Sequence, residues 1–181
     1  MPGVPPPPDF GRAKLEIETI PPGRTFGRIY WSTYSDPLGY GKSASRFSDP
    51  RRRVAANRFG VLYLGDSLKV CFLEAVLRDR REGLFDDLPI EEVELTQRRY
   101  AEITTTAVLR LVDLRGDNAV RMGVPTDVVR AQRQNLARWW SVTFHEHRLS
   151  LTGSFTPRAS MARPISPSTI VRRESYRRSA L

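Results

Sequence analysis

Residues 60–77 constrain the fold more than any other stretch, because a buried strand there runs directly into an amphipathic helix. Val61-Leu-Tyr-Leu64 is a compact apolar run after Gly60, the pattern of a strand covered on both faces. Asp66 or Ser67 can cap a following helix, in which Leu68, Phe72 and Val76, and again Leu73 and Leu77, recur at helical spacing. Upstream, Ala13–Ile20 alternates apolar with charged residues, and Thr25-Phe-Gly-Arg-Ile-Tyr-Trp31 is rich in strand formers. Residues 32–50 hold glycine, proline and serine with little apolar material, a long loop of the kind usually kept for function. Downstream, Val108-Leu-Arg-Leu-Val-Asp-Leu114 predicts a strand. Asp127 to about His147 predicts a helix whose apolar bulk comes from Trp139, Trp140, Val142 and Phe144. Strands first, then helix, strand and helix, describe a single mixed α+β domain rather than a doubly wound parallel sheet.

At 181 residues the chain can bury the core of one domain. No apolar run approaches the roughly 20 residues that cross a bilayer. No basic segment leads into an apolar stretch as in a secretory signal. The single cysteine, Cys71, excludes an internal disulfide and a cysteine-based zinc site. A cytoplasmic protein without membrane contact is expected.

The net charge of +9 points towards nucleic acid until its distribution is considered. Residues 150–181 hold six arginines against one glutamate, which is +5 of the total, and no nucleic-acid-binding motif accompanies them. Direct nucleic-acid binding is therefore not expected. Arg51-Arg52-Arg53 reads first as a solvated loop after Pro50, and second as a site for phosphates or an acidic partner. The proline-rich residues 1–12 are expected to be disordered, with the folded domain at 13–149. The segment 150–181 has seven serines, three prolines and no hydrophobic period, and is expected to be disordered as well.

Most catalytic signatures are absent: there is no phosphate-binding Gly-Lys-Ser/Thr loop, no Gly-x-Gly-x-x-Gly and no Gly-x-Ser-x-Gly elbow. His145 and His147 flank Glu146, but residues two apart on a helix point about 200° apart, so they do not share a metal. They read as a solvated helix end, and no metal is expected. Cys71 reads as a buried thiol.

The remaining candidates are polar residues in apolar or loop-edge surroundings. Arg28 lies inside the second strand, Arg46 ends the serine–glycine loop, Tyr63 is mid-strand, and Glu74 sits among Leu73, Ala75, Val76 and Leu77. A carboxylate in such company needs a partner. In one reading Arg28 and Glu74 form a structural ion pair and Tyr63 is core. In the other, Arg28, Arg46, Tyr63 and Glu74 converge on one cleft.

Ser45-Arg-Phe-Ser-Asp-Pro50 and Phe59-Gly-Val-Leu-Tyr-Leu-Gly-Asp-Ser-Leu-Lys-Val-Cys-Phe-Leu-Glu-Ala-Val-Leu-Arg-Asp79 together resemble the RES domain, a family named for an arginine, a glutamate and a serine. Arg28-Ile-Tyr30, Leu109-Arg-Leu-Val-Asp-Leu-Arg-Gly116 and Ala137-Arg-Trp-Trp140 extend the resemblance over roughly residues 25–149. The resemblance implies an ADP-ribosyltransferase-like fold. It also implies a bacterial toxin that cleaves NAD⁺ at the nicotinamide–ribose bond, as a glycohydrolase, a phosphorylase or an ADP-ribosyltransferase acting on a protein. NAD⁺ would be substrate rather than cofactor. The implied partner is a small antitoxin with an Xre-type domain, in a toxin–antitoxin complex that can contain a toxin homodimer. Glu74 and Arg28 would be catalytic, and Arg46, Tyr63 and Tyr30 would bind the dinucleotide.

The C-terminus departs from this pattern. The family's serine is expected in a segment resembling Asp-Gly-Ile-Leu-Tyr-Pro-Ser-Arg, where this chain has Leu151-Thr-Gly-Ser-Phe-Thr-Pro-Arg158. Suitable synonymous codons for Leu151–Ser168, read two bases late, spell that family-like ending. The reading frame is therefore inferred to shift near Leu149, by mutation or by sequencing error. Ser154 and Ser160 do not inherit the serine's role, and a degenerate, inactive relative that only binds its antitoxin is the alternative function.

Overall fold

The computed structural model describes residues 4–40, 43–51, 54, 57–77, 80, 85–130, 134–156, 160–162 and 170–173. Among the described residues, eight strands form two sheets. In the first, β1 (Ile17–Ile20) pairs antiparallel with β5 (Leu109–Asp113), and β5 runs parallel to β6 (Gly153–Phe155). The sheet continues antiparallel through β7 (Ser160–Ala162) to β3 (Leu62–Leu64). In the second, β2 (Thr25–Trp31), β4 (Arg98–Thr105) and β8 (Ile170–Arg173) are antiparallel neighbours. The helices are α1 (Leu68–Phe72), α2 (Glu92–Thr96), α3 (Asn118–Arg121), α4 (Asp127–Arg130) and α5 (Asn135–Glu146). A single mixed α+β domain results.

The two sheets meet at one antiparallel bridge between Gly27 and Gly65, whose amides and carbonyls exchange bonds of 2.7 and 2.9 Å. Glycine is required at this junction by close approach. A Cβ on Gly27 would lie 2.7 Å from the Tyr100 ring and 3.1 Å from the Cys71 sulfur, and one on Gly65 would lie 2.8 Å from that sulfur.

Two apolar clusters follow from strand alternation. Phe26, Leu62, Leu64, Ile103, Leu109 and Leu111, with Ile20, fill the space between the sheets. Val112, on the opposite face of β5, joins Phe10, Phe47, Trp140, Phe144 and Leu151 beneath α5. Strand β5 thus feeds both clusters, Leu109 and Leu111 from one face and Val112 from the other.

The expected strand at 25–31 matches β2 residue for residue, and β3 and β5 fall inside their expected runs. The long helix expected from Asp127 to His147 is described as α4 and α5, with residues 131–133 outside the described residues. Strand β4 has no counterpart in the sequence reading. Its signal is the alternation of buried Ala101, Ile103 and Thr105, diluted by charged residues on the outer face.

The N-terminal segment differs from the disorder expected of it. Phe10 packs edge-on against Trp140 at 4.8 Å, and the Trp140 indole donates to the Val4 carbonyl at 3.1 Å. Burial of one large ring outweighs the local proline content; residues 1–3 lie outside the described residues. Of the segment 150–181, residues 153–155, 160–162 and 170–173 are strands, and 157–159, 163–169 and 174–181 lie outside the described residues.

Candidate functional site

The site grows from the strand–helix unit of residues 62–77. Ser67 caps α1 as expected, its hydroxyl accepting the Val70 amide at 3.2 Å. Cys71 and Val76 turn inwards, whereas Leu68 and Leu73, read as part of the apolar stripe, stay exposed. Cys71 packs into the notch left by Gly27 and Gly65, and burial pushes its thiol pKa up, which suits a packing residue rather than a nucleophile. After Phe72 the winding loosens into one π-helical turn, Leu73–Leu77, and half-buried Glu74 stands in it. Single π-turns are rare and concentrate at functional sites.

Arg46 is 9% exposed and lies in a turn tied to β3 by Tyr63. The tyrosine hydroxyl donates to Ser45 Oγ at 3.0 Å and accepts the Phe47 amide at 3.3 Å, so it grips the residue on each side of Arg46. Tyr63 lies on the opposite face of β3 from Leu62 and Leu64, and packs against the cluster that contains Phe47.

Arg28 follows Phe26 at two-residue spacing and so leaves β2 on the face turned to the inter-sheet cluster. Its Nη1 donates to the Pro37 carbonyl, and its guanidinium lies 5.9 Å from the Tyr30 ring centroid. Burial lowers the Arg28 pKa, against the opposing pull of Asp36. A guanidinium stripped of water in this way gains most from an anion brought to it. The structure therefore brings together Arg46 with Tyr63, and Arg28 with Tyr30, as two groups on opposite strand faces. Glu74 sits on the helix that seals the junction between β2 and β3.

Several participants were invisible in the sequence. Arg51, read as solvated, donates through Nε and Nη2 to buried Asp49 at 3.1 Å each, and through Nη1 to Glu146 of α5. The side-chain bond to Asp49 raises its pKa most, burial opposes this, and Glu146 adds to the rise. Arg52 and Arg53 lie outside the described residues. Arg138 of α5 donates from Nε to the Ser45 carbonyl at 2.9 Å.

The two histidines are not a solvated helix end. His145 stacks on Phe59 with centroids 4.2 Å apart, and His147 is 3% exposed. Burial holds the His147 pKa below the usual histidine value, with the Ala13 carbonyl opposing the shift and Arg148 adding to it. Among the described residues, no cluster of histidine, cysteine, aspartate and glutamate has the geometry of a metal site. No helix among them is long and apolar enough to cross a membrane.

Beside the Arg46 turn is a small, largely apolar depression open to solvent, walled by Phe47, Phe59, Val61, Phe144, His145 and Ser154. Phe47 lines it while its neighbour Arg46 is held by Tyr63, so the pocket and the arginine share one turn.

A family model described as the RES domain matches residues 21–152, a span that contains all five candidate residues. A protein of Sinorhizobium fredii named "Probable toxin y4kH" is 37% identical over 65 residues, which are 36% of this chain and 51% of that protein. The chain thus spans about half the length of this curated relative. No solved structure matches.

Proposed function

Because this chain belongs to the RES-domain family, we propose that it is a toxin-type enzyme that cleaves NAD⁺ at the nicotinamide–ribose bond in the cytoplasm. The observation that carries the reading is the continuity of one unit. Tyr63 holds the Arg46 turn, and after three connecting residues beyond its strand α1 begins and carries the chain into the π-turn of Glu74. This reading takes Arg46, tied to the unit through Tyr63, as the anion-binding arginine and Glu74 as the carboxylate.

Breaking the C1′–N bond sends its electron pair to nicotinamide and leaves positive charge on the ribose. A carboxylate stabilises such an oxocarbenium-like state, which is the role given to Glu74. In this reading Arg46 binds the pyrophosphate, Arg28 acts with Glu74 at the reacting end, and Tyr30 and Tyr63 contact a ring or the ribose. An acceptor, water or phosphate, then attacks C1′ and releases a proton, giving ADP-ribose or its 1-phosphate. A protein side chain as acceptor would make the same site an ADP-ribosyltransferase. The relative named as a toxin supports a toxin role; an Xre-like antitoxin as partner and a toxin homodimer in the complex are what the resemblance to the family implies.

The test is release of nicotinamide from NAD⁺, with and without phosphate, by the purified chain and by Glu74→Gln. Consumption that falls by about 10²–10³ in the variant is expected, the scale for losing one transition-state-stabilising group. Consumption that is equal in the two proteins removes Glu74 from the mechanism. A second reading, a RES protein that binds its antitoxin without catalysis, is favoured by the altered sequence after Leu149. If neither protein consumes NAD⁺, restoring the alternative frame near codon 149 decides between them. Activity that returns with the family-like ending supports the degenerate reading of the present chain, and inactivity of the restored protein ends the NAD⁺ reading.

A further inference from the structure

The backbone direction of a residue is set by the two peptide planes that flank it, since each plane is rigid. Both planes flanking Arg46 are held by side chains from elsewhere in the fold. The Ser45 carbonyl, in the plane before Arg46, accepts Arg138 Nε at 2.9 Å and Ser48 Oγ at 2.9 Å. The Phe47 amide, in the plane after it, donates to Tyr63 Oη at 3.3 Å. Arg138 is itself steadied on α5, where its Nη2 and Nη1 reach Gln134 Oε1 at 3.3 Å and Asn135 Oδ1 at 3.4 Å. Two turns further along α5, Glu146 takes the guanidinium of Arg51, so the helix holds the far end of the same loop as well.

We propose that Arg138 is a positioning residue for Arg46, fixing with Tyr63 the two peptide planes from which the Arg46 side chain is aimed at the anionic part of the substrate. The aim at a substrate rests on the NAD⁺ reading above; the mechanical link between Arg138 and Arg46 does not. A guanidinium suits the task because its fork spans the helix and the loop together, leaving one donor free of the intrahelical bonds.

The test separates the two claims. The intact chain, Arg138→Ala and Arg138→Lys are treated with phenylglyoxal without NAD⁺, and the modification rates of Arg46 and Arg115 are read by mass spectrometry. Arg115 is an internal control, anchored by Asp113 and Glu18 away from this loop. Loss of one hydrogen bond of ordinary net strength should raise Arg46 modification about fivefold in Arg138→Ala with Arg115 unchanged. Arg138→Lys, which keeps a donor, should restore most of the protection. An unchanged Arg46 rate in Arg138→Ala overturns the proposal. So does an equal rise at Arg46 and Arg115, because Arg138 would then be serving the fold at large. NAD⁺ titrated into the same proteins reads the other claim: weaker binding by Arg138→Ala than by the intact chain is expected. Equal binding removes the substrate-aiming role, and no binding by the intact chain removes the NAD⁺ reading while the labelling result stands.

Discussion

Helix α5 separates two regions built on opposite physics. Beneath it, Phe10, Trp140, Phe144, Val112 and Leu151 are held by burial, with Trp140 1% and Val112 0% exposed. Beside it, the turn 45–51 is held by directed bonds from Tyr63, Arg138 and the Asp49–Arg51–Glu146 chain. Apolar packing is strong but non-directional, so many arrangements of similar volume serve. Hydrogen bonds give modest net stability but fix angles. The difference teaches where to look for function in this domain: stability is concentrated under α5, and orientation of charged groups is concentrated in the turn.

The comparison breaks most visibly in the apolar region. Trp140→Ala should cost about 3–5 kcal/mol, the usual toll of deleting a large buried ring, measured by denaturant unfolding. A loss under 1 kcal/mol, on the order of an exposed substitution, would show that the region under α5 is not the stability centre.

Tyr63→Phe sharpens the comparison at the turn. It keeps the ring packed beside Phe47 and removes only the hydroxyl, leaving Ser45 and the Phe47 amide short of a partner. A stability loss of about 1–3 kcal/mol is expected from those bonds, together with weaker NAD⁺ binding in titration. Unchanged binding would mean that the hydroxyl serves packing alone.

The smallest effect is a pH dependence on the apolar side. The neutral form of His147 is favoured in the fold, since burial lowers its pKa. Its Nδ1 accepts the Leu149 amide at 3.3 Å, a bond that protonation there removes. The unfolded chain takes up a proton near the ordinary histidine value of about 6.5. Below that value the unfolded state binds the extra proton first, so stability falls as pH drops towards the folded pKa and is flat above. The melting temperature should decline as pH falls below about 6.5, and His147→Gln should flatten the slope. A slope that survives the substitution assigns the effect to other groups.

How far the sequence reached depends on the range of each interaction. The β2 run, the β3 run and the Ser67 cap follow from neighbours two to four residues apart, and such spacings are printed in the chain. Glu74 stands out in the sequence as a carboxylate among apolar helix positions. The π-turn beneath it was not legible, since five residues of ordinary helix formers carry no sign of looser winding. Strand β4 was missed because its inward alternation of Ala101, Ile103 and Thr105 begins at a charged Arg99 and is interleaved with Arg98 and Glu102 on the outer face.

By itself, then, the sequence determined the local elements, the α+β class and the family, because period, capping and motif spacing are all short-range. Only the tertiary structure decided that His147 is buried, that Arg51 is bound to Asp49 and Glu146, and that Arg28 and Arg46 stand in separate groups. It also decided that Arg138 reaches Ser45 across 93 residues of chain. No periodic pattern encodes a contact at that separation. It exists because apolar burial first seats α5 against the sheet, and the polar groups left at the seam then bond to whatever that packing brings within reach.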